Sequence, residues 1–283
     1  MPGAACPGVC HDLTDATGGG RDVVPVGSGE MSRATPSSKP YERHLRLAGT
    51  RNLRDIGGYP AGAGRRTRWR TLFRADAFDQ LPVDSQAALV GLGVRQAIDL
   101  RFPNELDGWP SVFRESPAVR YVSLPLYEDG QAPPGGVAAH YRSVLDNRGV
   151  QFAAVGRALL EPGGLPAVIG CAAGIDRTGL AIAILLSVVG VPPDVVAMDY
   201  ALSAVSFAGD GRESECSDWR SGRVRVDCVP EYMLDALDHL RTRHGGAAAF
   251  LDRHGLAAAD IAQLRELLTE PTDDRPEGVD SSL

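Results

Sequence analysis

The sequence predicts an α/β layered fold, with a mostly parallel central sheet flanked by helices. Three observations carry that expectation. From Leu45 onward, strand-length apolar segments alternate with longer segments of helical period, the pattern of strands laid side by side with helices returning between them. The segment "LPAVIG" (165–170) is wholly apolar, as a strand covered on both faces of a parallel sheet must be. After residue 190 the chain reads as helix upon helix, which places extra helices at the C-terminal side of the sheet.

The elements follow in order. "RWRTLFRA" (68–75) alternates like a strand, with Trp69, Thr71 and Phe73 on one face and Arg68, Arg70 and Arg74 on the other. "VDSQAALVGLG" (83–93) reads as a helix capped by Asp84 or Ser85 and stopped at Gly93. "VRQAIDL" and "VRYVSLPL" read as strands, "GVAAHYRSVLD" and "VQFAAVGRALL" as helices. The run Thr178 to Val189 is helical by length, although its Ile and Val content leaves a strand open. "PDVVAMDYALSAV", "PEYMLDALDHLRTRH", "GAAAFLDRHG" and "LAAADIAQLRELL" complete the helical part.

Around this core (41–270), three segments are expected to be loose. Residues 1–40 are rich in Gly, Pro, Ser and Thr, and Met31 is a conceivable alternative start. Residues 207–229 contain a long polar stretch that suggests a lid or a flexible insertion, and 271–283 form an acidic tail. The arginines from Arg65 to Arg74 make a local basic run, expected as a solvated strand face.

Composition narrows the function classes. The 283 residues carry a net charge of −7, which argues against nucleic acid as a partner, since that binding rests on basic side chains at phosphates. Lys39 is the only lysine, so an anion site here must be built from arginine or backbone. The five cysteines are odd in number, no apolar leader is recognisable, and the longest apolar run is shorter than the ~20 residues a bilayer requires. A soluble cytoplasmic protein without membrane insertion is expected; oligomeric state is not legible. Cys6, Cys10 and His11 lack a second ligand pair, and the histidines show no metal-ligand spacing, so neither metal nor cofactor is expected.

The chemistry lies in "GCAAGIDRTG" (170–179). A buried strand ends at Gly170, small residues follow, and a helix begins near Thr178. Backbone N–H groups of Ala172, Ala173, Gly174 and Ile175, with the helix N-terminus, would form an anion-binding concavity. Cys171 at its floor would be favoured as thiolate and act as nucleophile. Arg177 would hold two oxygens of a phosphoryl group with its planar fork, and Thr178 would donate to the departing sulfur.

This Cys-x5-Arg-Thr junction resembles the signature loop of the protein tyrosine phosphatase superfamily. Together with "TRNLRDIGGYP" (50–60), "LFRADAFDQL", "AIDLRFPNE" and "FLDRHGLAAADIAQLRELL", it is similar to a bacterial family of atypical tyrosine/serine and lipid phosphatases. The resemblance implies a protein-tyrosine-phosphatase-like fold and a cysteinyl-phosphate mechanism on a phosphorylated protein or small molecule. It implies Cys171 as nucleophile, Arg177 as phosphate ligand and Asp176 as general acid, with Asp99 at a strand end as the other candidate acid. Arg54 is a candidate substrate ligand or, with Asp55, a brace for the loop.

Two positions depart from the family loop. Gly170 stands where histidine is usual and Ile175 where lysine is usual, which removes a buttress and a charge and disfavours highly phosphorylated inositides. Two other functions stay open: a phosphate-binding pseudophosphatase, and a thiol transferase or redox protein with Cys216 or Cys228 as resolving partner.

Overall fold

In the computed structural model, residues 41–126, 135–207 and 227–272 are described. The chain runs through β1 (Arg54–Asp55), β2 (Arg65–Thr67), β3 (Leu72–Ala75), α1 (Val83–Gly91), β4 (Gln96–Asp99), α2 (Pro103–Gly108) and β5 (Arg120–Ser123). It continues through α3 (Gly136–Asn147), α4 (Gly149–Leu160), β6 (Ala167–Gly170), α5 (Asp176–Val188) and α6 (Pro193–Phe207). Then follow α7 (Pro230–His244), α8 (Ala247–Arg253), α9 (Ala258–Leu268) and β7 (Thr269–Pro271). The expected N-terminal tail, the polar insertion between Phe207 and Asp227 and the acidic tail beyond Thr272 lie outside the described residues. So do Cys6, Cys10, His11, Cys216 and Trp219.

The main sheet has the order β1-β3-β6-β4-β5. β6 pairs in parallel with β3 and β4, β4 pairs in parallel with β5, and only the edge strand β1 is antiparallel, against β3. The α/β expectation therefore holds, and the apolar "LPAVIG" segment is the central strand. Alternation along each strand divides the core. Leu72, Ile98, Ala167 and Ile169 face the large helical side, whereas Phe73, Ala97 and Val168 face a smaller cluster with Leu89, Val94 and Phe113.

Register aligns Ala75, Gly170 and Asp99 across three neighbouring strands. The segments leaving β3, β6 and β4 thus emerge at one edge, the carboxyl edge where α/β sheets place their ligands. α5 springs from that edge with most of its residues buried, so apolar side chains on all sides are tolerated and the strand alternative falls. No helix among the described residues is long and apolar enough to cross a membrane.

Three expectations change. The strand read over 68–75 begins only at Leu72, because Arg70 adopts φ 54° and donates its N–H to Asp55 Oδ2 at 2.7 Å, closing a turn. α1 starts after Pro82 without a side-chain cap; Ser85 instead donates to the Ala48 carbonyl at 2.9 Å. The basic run is not a solvated strand face. Arg74 is fully buried, while Arg65 pairs with Glu266, and Arg66 and Arg68 with Glu270, as β2 pairs with β7. That pairing carries the folded chain past residue 270, to the Thr272 N–H on the Gly64 carbonyl.

Candidate active site

Gly170 closes β6 and α5 begins at Asp176, so residues 171–175 form the turn between them. Gly174 makes the turn possible: it sits at φ 69°, and a Cβ there would lie 2.4 Å from the Ala75 carbonyl oxygen. Among the described residues, no protein acceptor takes the N–H groups of Ala172, Ala173, Gly174 or Ile175. They join the N–H groups of the first turn of α5, a concentration of partial positive charge suited to an anion. Cys171 lies at its base, 3% exposed.

The loop is held from behind by a buried polar network. Asn52 donates through Nδ2 to the carbonyls of Ala173 (3.0 Å) and Gly174 (3.1 Å). Arg74 donates to the Gly174 carbonyl at 2.7 Å and to Asp199 Oδ2 at 2.6 Å. Arg54 donates to Asp199 Oδ1 at 3.2 Å and to the Asn52 side chain, and the Tyr59 hydroxyl donates to Asp199 Oδ1 at 2.9 Å. Burial alone would raise the Asp199 carboxyl, but the two guanidiniums hold it well below the usual carboxylate range. Burial, with Arg74 alongside, pushes Arg54 down to about 10. Both carbonyl contacts turn loop oxygens inward, which leaves the loop N–H groups to face the opposite way.

Asp76 ties the same region from the end of β3. It accepts from the Thr50 hydroxyl and from the N–H groups of Arg51 and Asn52, although burial raises its carboxyl.

On α5, Arg177 is gripped by Glu105 of α2, with Nη1 to Oε2 at 2.6 Å and Nη2 to Oε1 at 2.9 Å. Its guanidinium carbon lies 4.4 Å from the centre of the Phe102 ring. Glu105 also accepts the Phe102 N–H at 2.7 Å, so one carboxylate both starts α2 and fixes the fork. Despite desolvation, the Arg177 contact keeps Glu105 below its ordinary value. Asp176 is half-buried, and its Oδ1 accepts the Tyr141 hydroxyl at 2.6 Å; that hydroxyl meets Tyr200 at 2.8 Å. Burial and the Asp176 charge raise the Tyr141 phenol well above 10, so it remains a donor. His140 lies near Asp176 and Arg177, and burial lowers its basicity. The Thr178 hydroxyl is fully buried and, among the described residues, has no hydrogen-bond partner.

The structure thus gathers Cys171, Ala172, Ala173, Gly174, Asp176, Arg177 and Thr178 at one edge. It takes the others elsewhere. Arg54 is fully buried and engaged by Asp199, so it supports the loop rather than reaching a ligand. Asp55 accepts the N–H groups of Gly57 and Arg70 and stabilises its own turn. The Ile175 side chain is 5% exposed and belongs to the main core, so only its backbone is offered to the loop. Asp99 is fully buried at the end of β4, with Arg101 bound across both oxygens at 2.8–3.1 Å.

Cys171 and Arg177 thus flank one turn at the carboxyl edge of the sheet. A family model described as the tyrosine phosphatase family matches residues 45–270. The chain belongs to the tyrosine phosphatase family. A tyrosine-protein phosphatase of Nostoc commune is 26% identical over 220 residues, 69% of this chain and 75% of that protein. A Cupriavidus necator protein bearing a tyrosine-protein phosphatase name is 28% identical over 162 residues, 53% of this chain and 59% of its own length. The crystal structure of P. aeruginosa TpbA is matched at 20% identity, over 74% of this chain and 92% of that one, with a TM-score of 0.31.

Within this phosphatase, the residues that sequence reasoning left unassigned are Asn52, Arg74, Glu105, Tyr141 and Asp199. Glu105 had a local signal, since Pro at the first helical position and Glu two later mark a helix start. The others carry no local signal of their own, and only the folded chain brings them to the loop. Phe78 explains how glycine serves at 170: its ring lies 2.6 Å from where a Gly170 Cβ would stand, so phenylalanine occupies the space of a side chain there.

Proposed function

We propose that the protein hydrolyses phosphate monoesters through a cysteinyl-phosphate intermediate. The observation that carries this is Cys171 at the base of an N–H-lined turn whose arginine is already held in orientation by Glu105. In the first step the Cys171 sulfur bonds to phosphorus and the ester P–O bond breaks. Loop N–H groups and Arg177 receive the charge on the equatorial oxygens. Asp176 delivers a proton to the leaving oxygen, and the Tyr141 hydroxyl on its other side keeps the carboxyl in place. Water then attacks phosphorus, Asp176 takes its proton, and the S–P bond breaks with the Thr178 hydroxyl donating to sulfur.

Asp176 is preferred over Asp99 because Asp99 is shut from solvent and bound across both oxygens by Arg101. The substrate is a phosphoprotein or small-molecule monoester. A thiol only 3% exposed favours phosphate carried on an extended arm, such as a phenyl ring, over phosphate on a single methylene. The pseudophosphatase alternative draws support from Phe78 filling the place of a histidine buttress. The thiol-redox alternative is weakened because burial pushes the Cys228 thiol up to about 12, leaving it protonated and a poor nucleophile.

The test is phosphate release without added metal from p-nitrophenyl phosphate, phenyl phosphate, phosphotyrosine and phosphoserine peptides and nucleoside monophosphates. Cys171→Ser is expected to lower turnover on the order of 10³-fold or more. Asp176→Asn is expected to lower it 10²–10⁴-fold on phenyl phosphate, and less on p-nitrophenyl phosphate, whose leaving group needs little help. Full activity in Cys171→Ser would refute the mechanism; phosphate binding without turnover in the wild type would establish the pseudophosphatase.

A further inference from the structure

Sequence spacing gives the histidines no metal-binding pattern, yet the fold gathers two of them on one carboxylate. Asp146 lies near the end of α3, and His239 and His244 lie on α7, which packs against α3. Both Nε2 atoms stand 2.9 Å from the same Asp146 Oδ1, and the three atoms lie within 4.8 Å of one another. From these positions we propose that Asp146, His239 and His244 form a divalent transition-metal site, with zinc as the natural occupant, separate from the phosphate loop.

Two imidazoles and a carboxylate are the donor set that suits zinc and its neighbours rather than magnesium or calcium. Zinc ligands at about 2.0–2.1 Å in a tetrahedron stand roughly 3.3 Å apart; each 2.9 Å His–Asp separation needs to open by a few tenths of an ångström, and the Nε2–Nε2 separation, within 4.8 Å, needs to close by at most about 1.5 Å. Burial is graded across the three: the His244 side chain is 9% exposed, His239 18% and Asp146 40%. One side is thus anchored in the core while the other admits an ion and leaves a position for water. His244 is fixed by edge contact with the Phe250 ring at 5.1 Å, and it meets the His239 ring at 5.5 Å. Binding requires each imidazole to carry its proton on Nδ1, so that Nε2 presents its lone pair. Neutral histidines with one aspartate give a site of charge −1, and a bound dication leaves +1.

The site would clamp α3 to α7. The half-exposed Arg142–Asp235 pair also ties these helices. Asp146 stands five residues beyond Tyr141, about 7.5 Å along the same helix, and Tyr141 holds Asp176.

The experiment uses the full chain, stripped by a chelator and dialysed, and titrated with Co²⁺ as an optical probe, with Zn²⁺ in competition. Visible d–d bands from one equivalent of nitrogen- and oxygen-bound cobalt are expected, displaced by zinc. His239→Gln and Asp146→Asn are each expected to weaken that binding at least about tenfold, while Cys171→Ser retains it. His239 and Asp146 are partly exposed, so these variants fold where a change at His244 would disturb packing. In metal-free buffer His239→Gln is expected to keep the basal phosphatase rate. Cobalt binding that both variants retain, binding that Cys171→Ser abolishes, or no stoichiometric binding at all would each overturn the proposal.

Discussion

At Gly174 one hydrogen atom decides whether the turn can exist. The backbone conformation is left-handed, and a methyl group would meet the Ala75 carbonyl at 2.4 Å. Gly174→Ala is therefore expected to cost at least about 1–3 kcal/mol of stability and to abolish turnover, read by urea unfolding beside phosphate release. A stable, active variant would show that the loop tolerates another path. Asp199 is the second position of this kind, because two buried guanidiniums share its carboxylate. Asp199→Asn leaves them undercompensated, and a loss of about 3–5 kcal/mol is expected. Its pH signature has a definite sign. The folded carboxyl lies below the unfolded one, so its contribution is complete above about pH 4 and is lost as pH falls toward the folded value. Wild-type stability should therefore drop more steeply below pH 4 than that of Asp199→Asn, and equal slopes would show that the carboxylate is not what the arginines stabilise.

Between elements, the short helix α2 governs the arginine of α5 through Glu105. Glu105→Gln keeps an acceptor but removes a charge, which should separate two effects. Turnover is expected to fall on the order of tenfold as the fork loses its preset direction. Inhibition by inorganic phosphate should hold or tighten, because a negative charge near the anion site is gone. Steady-state kinetics with phosphate as inhibitor distinguishes them, and weakened inhibition would mean that Glu105 serves binding alone. At this scale the sequence was most informative where an element is covered on all sides or strongly periodic. β6 and the C-terminal helices were legible because their apolar patterns have one good solution, whereas α5 was helical by length alone, its Ile and Val content leaving a strand open. The Cys171–Thr178 turn was legible because glycine and small residues announce backbone approaching a ligand. β1, β2 and β7 were not, since two or three residues carry no period. Arg74 and Asp199 defeated pattern reading for a different reason: Arg74 reads as one of a solvated basic run and Asp199 as a lone polar residue until the two, 125 positions apart, are paired. Asp146 and the α7 histidines show the same blindness, since ligand spacing in space had no counterpart along the chain.

For the molecule as a whole, closure depends on pairing an early strand with the last, β2 against β7, with Arg66 against Glu270. Truncation after Leu268 removes three strand positions and their ion pairs. At roughly 1 kcal/mol per hydrogen bond lost, the melting temperature is expected to fall by about 5–10 °C. An unchanged melting curve would show that α9 alone closes the fold. The buried Arg54–Arg74–Asp199 network also has a history in time. During synthesis the Gly174 carbonyl leaves the ribosome 25 residues ahead of Asp199, the group that fixes the arginine gripping it. At 5–20 residues per second, the nascent chain carries this loop for about 1–5 s before Asp199 has been made. Until then Arg54 and Arg74 have no carboxylate between them, and of the side chains that brace the loop only Asn52 has its acceptors in place.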